Sequence, residues 1–81
     1  MKNTLKRIGE MILDLHGTRH QDVTKLLDEF LWENIKRKNK QVEIITGNSE
    51  IMKSIVKECL KDYGIQPREG FLNTATFIVD L

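Results

Sequence analysis

The chain has 81 residues, with 13 Lys and Arg against 12 Asp and Glu, two His and one Cys. That length is one small domain, and 40% apolar with 31% charged residues is a globular composition, not a disordered one. A single cysteine excludes an internal disulfide scaffold and fits a reducing cytoplasm, the expected location, and no apolar run nears the ~20 residues of a membrane span.

Residues 1–10 are basic through Lys2, Lys6 and Arg7 and lack the apolar core of a secretory signal. They read as a basic segment ahead of a domain at 11–81. Residues 11–16 (Met-Ile-Leu-Asp-Leu-His) form a short apolar run. The pattern predicts a strand buried on both faces at first and opening at its C-terminal end. From 19 to 38, Val23, Leu26, Leu27, Phe30, Leu31 and Ile35 recur at helical spacing, with Trp32 at the margin. Lys36, Arg37, Lys38 and Lys40 close that helix. They are either a solvated helix end or a local positive patch.

Residues 42–46 (Val-Glu-Ile-Ile-Thr) are β-branched and predict a second strand. The turn Gly47-Asn48-Ser49 follows, and Asn48 or Ser49 is a natural N-cap. Ile51, Met52, Ile55, Val56, Cys59, Leu60 and Tyr63 give the next helix its apolar stripe, and Gly64 suits a left-handed residue after it. Cys59 on that stripe is expected to be a buried small hydrophobe. Two strands, 66–72 and 75–81, joined through Asn73 and Thr74, complete the chain as an antiparallel hairpin. The order β-α-β-α-β-β predicts an α/β two-layer sandwich: a four-stranded mixed sheet with two helices on one face and the other face relatively open.

Ligands of such sheets bind outside the carboxyl ends of the parallel strands. Here those ends are Asp14-Leu15-His16-Gly17 and Thr46-Gly47-Asn48-Ser49, each leading into a helix N-terminus suited to an anion. Asp14 and His16 are two apart on a strand and share a face. A carboxylate beside an imidazole suits acid–base chemistry near neutral pH. The plainer alternative is that Asp14 caps the loop and His16 is an edge histidine. His20, with Arg19, either contacts phosphate or is a surface residue. Asp14, His16 and His20 offer only three ligands for a metal, so no metal site is assigned, though a divalent metal stays open as a cofactor.

Leu13-Asp14-Leu15-His16-Gly17 resembles the LDLHG signature of the Smr (small MutS-related) domain family, and Ile44-Ile45-Thr46-Gly47 resembles its second motif, a strand entering a [HT]GxG loop. The residues from 73 to 81 are similar to the family's last strand. The resemblance covers about residues 11 to 81. It implies a two-layer sandwich like the C-terminal domain of translation initiation factor three, and binding of branched or structured DNA or RNA. It also implies nicking endonuclease or ribonuclease activity in some members. By position, Asp14 and His16 would be the catalytic pair. Gly17, Arg19, His20, Thr46, Gly47, Asn48 and Ser49 would contact nucleic acid. One departure stands out: the second loop glycine is replaced by Ser49. The alternative function is a non-catalytic module binding nucleic acid or protein.

Overall fold

The computed structural model describes residues 11–69 and 75–81. The elements are β1 (Ile12–Asp14), α1 (His20–Lys36), β2 (Gln41–Ile45), α2 (Glu50–Asp62), β3 (Arg68–Glu69) and β4 (Thr76–Asp80). The four strands form one mixed sheet in the order β1-β2-β4-β3. β1 and β2 are parallel, and β4 runs antiparallel to both β2 and β3. This is the expected α/β sandwich and strand sense. The expected basic segment at 1–10 and the link through Asn73 and Thr74 lie outside the described residues.

The registers align Leu13, Ile44 and Phe77 across three strands, with Val42 opposite Val79. These side chains are buried and share one core cluster with Val23, Leu27, Phe30 and Leu31 of α1 and Met52, Val56, Cys59 and Leu60 of α2. Both helices therefore cover the same face. The opposite face carries Ile12, Glu43, Ile45 and Ile78, all half-buried rather than fully exposed.

The elements depart from the sequence reading in several places. β1 is not buried on both faces at its start. Met11 is exposed and Ile12 half-buried, and only Leu13 and Leu15 enter the core, because β1 is an edge strand with helices on one side only. β3 begins at Arg68 rather than 66, since Pro67 has no N–H to give the ladder. The apolar stripes also narrow. Ile35, Ile51 and Tyr63 are exposed. Trp32 lies out on the surface. Asn34 and Lys53 are buried in their stead.

Asn34 is fully buried because its amide is satisfied. Its Nδ2 donates to the Phe30 carbonyl at 2.9 Å, and its Oδ1 accepts from Asn39 Nδ2 at 2.6 Å. Lys53 is paired in its buried position with Glu69 of β3 at 3.7 Å and Glu50 at 4.0 Å.

The two helices end alike. In α2, the Gly64 N–H donates to Lys61 O and the Ile65 N–H to Leu60 O, with Gly64 at φ +74. In α1, the Lys38 N–H donates to Ile35 O and the Asn39 N–H to Asn34 O, with Lys38 at φ +62. Both are Schellman caps, but α1 places a lysine where glycine is at ease. The helix thus stops at Lys36 instead of running to residue 38.

Candidate functional site

The strand-to-helix turns after β1 and β2 sit side by side. The β1 ladder continues past Asp14 through the Leu15 N–H to Ile45 O bond at 2.8 Å, so the two chains leave the sheet together. A Cβ built on Gly47 would lie 3.9 Å from both Cβ and Cδ2 of His16. Gly17 and Gly47 have φ +80 and +74, so each turn bends through the left-handed region.

Between them is one open crevice of about 510 Å³. Its walls are residues 16–20 from the first turn and 46–49 from the second, with Met52 behind. Every residue expected at the site lines it except Asp14. Thr18, not anticipated from the sequence, lines it as well, and its Oγ1 is buried with no hydrogen-bond partner. Among the described residues no carboxylate lines the crevice, whereas His16, Arg19 and His20 do.

Its polar groups divide into occupied and free donors. The Thr46 and Gly47 N–H groups both donate to Ala75 O, at 2.8 and 3.1 Å. Thr46 Oγ1 lies 2.8 Å from Gly47 O and 3.1 Å from Ala75 O, so its proton is also spent internally. Thr46 thus braces the loop, and Gly47 supplies close approach rather than an amide. Ser49 Oγ accepts from the Met52 N–H at 3.1 Å, capping α2 and leaving its own proton to donate outward. Arg19 occupies the N-cap position of α1 but gives it no side-chain hydrogen bond; the Asp22 N–H donates to Arg19 O at 2.9 Å, and of that helix His20 lines the crevice.

The missing second glycine has a simple account. Ser49 has φ −74 and ψ 120, which any residue adopts, and its hydroxyl does the capping. No positive φ is required there.

Asp14 is behind the crevice. Its Oδ1 accepts from the main-chain N–H of His16 at 3.0 Å, fixing the turn rather than the imidazole. This is the arrangement the plainer sequence reading described. Among the described residues, no group of three or more His, Cys, Asp or Glu comes together as metal ligands. No described helix is long and apolar enough to cross a membrane. The Lys36 end of α1 is the length of a 17-residue helix, about 25 Å, from the crevice, so the basic cluster stands apart from it.

The fold and crevice together define a two-layer α/β domain with an open crevice at the carboxyl ends of its parallel strands. The chain belongs to the Smr domain family, whose sequence model matches residues 13–71. Smr domains generally bind nucleic acids, and some members are nucleases. The structure is similar to YdaL, a stand-alone small MutS-related protein from Escherichia coli, at a TM-score of 0.83 and 17% sequence identity. The likeness covers 91% of this chain and 66% of YdaL, so this chain spans just under two thirds of that protein. No curated protein matches the sequence significantly.

Proposed function

We propose that the domain binds structured DNA or RNA through the crevice and cuts a phosphodiester bond there. The observation that carries the binding reading is the composition of the crevice: three basic side chains and a serine hydroxyl, with no carboxylate among the described residues that line it. A phosphate fits that lining, and the positive φ at Gly17 and Gly47 lets a sugar–phosphate backbone come close. His16 is the crevice side chain suited to proton transfer. In hydrolysis it takes a proton from the attacking water as oxygen bonds to phosphorus, one P–O ester bond breaks, and the leaving oxygen takes a proton from solvent water. Asp14 serves by holding the turn that presents His16. A lone thiol agrees with work in the cytoplasm.

The test is a His16→Ala variant assayed on branched DNA and structured RNA, with and without divalent metal. Binding within a fewfold of wild type and loss of cleavage are expected. Equal cleavage by both proteins removes His16 from the chemistry. A second reading, binding without cleavage, is favoured by one observation: the Asp14 carboxylate accepts from the main-chain amide of His16 rather than from its ring. Wild-type protein that binds but leaves every substrate intact would establish that reading.

A further inference from the structure

A second positive feature lies far from the crevice, beside the C-terminal end of α2. Lys53, Lys57 and Lys61 are spaced four apart and therefore line one side of the helix. Lys53 is neutralised by Glu69 and Glu50. Lys57 and Lys61 are exposed, and neither makes an ion pair among the described residues. Lys57 Nζ is held 5.7 Å from the centre of the Phe77 ring, which places it toward the β4 side.

The two lysines border a groove of about 470 Å³ closed by Gly64, Ile65, Gln66 and Pro67. No acid lines it. Glu58 and Asp62, the next residues along, are turned about 100° around the helix and stay outside it. The groove is therefore complementary to a negatively charged partner.

We infer that this groove is a second phosphate-backbone contact, so that the domain's ligand is a nucleic-acid chain long enough to reach both places rather than a mononucleotide or dinucleotide. The inference rests on the proposed nucleic-acid reading of the crevice and adds a second contact and the reach the ligand needs. Ser49 stands at the crevice, and Lys57 and Lys61 follow it along α2 by about 12 and 18 Å at 1.5 Å per residue. A duplex covers that span in about four or five base steps. A dinucleotide does not. Occupying both places at once joins two weak contacts through one rigid ligand.

The test uses the full chain and its Lys57→Gln/Lys61→Gln variant, with Lys25→Gln/Lys36→Gln as a charge-matched control and thermal melts to verify folding. Anisotropy is read against salt for a two-turn duplex, in DNA and RNA forms, and for a dinucleotide. Loss of two phosphate contacts lowers the slope of log affinity against log salt by about 2. That result for the duplex, with dinucleotide affinity and the control variant unchanged, supports the inference. An unchanged duplex slope in the Lys57/Lys61 variant overturns it while leaving the crevice reading intact. An equal loss in the control variant also overturns it, because the effect is then general charge. Wild-type protein that binds polyglutamate at the groove but no nucleic acid overturns both readings in favour of an acidic protein partner.

Discussion

His16 and Gly47, thirty-one residues apart in sequence, are in van der Waals reach: a side chain added at Gly47 would begin 3.9 Å from the His16 ring atom Cδ2. That closeness makes two turns one site. Gly47→Ala would meet His16 at ordinary contact distance, so its main effect would be strain at φ +74. We expect a loss of about 1–2 kcal/mol, with weakened nucleic-acid binding. Gly17→Ala, at φ +80 with nothing within 4 Å, should lose similar stability by strain alone. Chemical denaturation measures both. Unchanged stability in each would mean the turns relax freely.

Ser49 supplies the cap of α2. Ser49→Ala should lose about 1 kcal/mol, and Ser49→Gly, which restores the glycine of the family loop, only a few tenths. If Ser49→Gly instead raised affinity or cleavage many-fold, the loop as it stands would be a weakened one.

The C-caps give a stabilising prediction. Lys38 sits at φ +62, where Gly64 sits in the matching position of α2. Lys38→Gly should raise stability by about 1 kcal/mol, and Gly64→Ala should lower it by a similar amount. A destabilised Lys38→Gly protein would show that the lysine side chain contributes more than its backbone strain.

Asn34→Ala should lose about 1–3 kcal/mol, because the Asn39 amide is left without its acceptor in a part-buried position. A loss of under half a kcal/mol would mean that water replaces the side chain.

The Cys59 thiol is pushed up from 9.0 to about 11 by burial, then by the charge of Asp28 and the hydrogen bond to it at 3.6 Å. Tyr63, whose hydroxyl donates to the same Asp28 oxygen at 2.9 Å, is raised to about 12. The unfolded thiol loses its proton near pH 9 and the folded one only near 11. The stabilisation is therefore complete below pH 9 and drains as the pH rises to 11. Urea melts at pH 8 and pH 11 should differ by more in wild type than in Cys59→Ala. Equal differences would remove the thiol from the linkage. Native Cys59 should also alkylate slowly at pH 8.

Much of this was legible in the residues, for physical reasons. The β-branched run at 42–46 and the spacing of Val23, Leu27, Phe30 and Leu31 state their periods directly, and strand polarity follows from the βα units. The convergence of residues 16–20 with 46–49 was also accessible, since it follows from neighbouring parallel strands. What the sequence could not reveal is how hydrogen bonds are shared. A buried Asn34 and a left-handed Lys38 contradict ordinary preferences and are explained only by the cap they build together. Asp14 bonding to an amide rather than a ring, and the Gly47 amide being spent on Ala75, depend on rotations that spacing does not encode. Thr18 could have been suspected from its place between the signature glycine and the helix start.

The central claim is that the crevice between the two turns receives the phosphates of nucleic acid. Titrating isotopically labelled protein with a structured oligonucleotide and following amide resonances tests it most directly. Shifts at His16, Gly17, Thr18, Gly47 and Ser49, reversed by added salt, are predicted. Saturable binding that leaves those five resonances in place would contradict it.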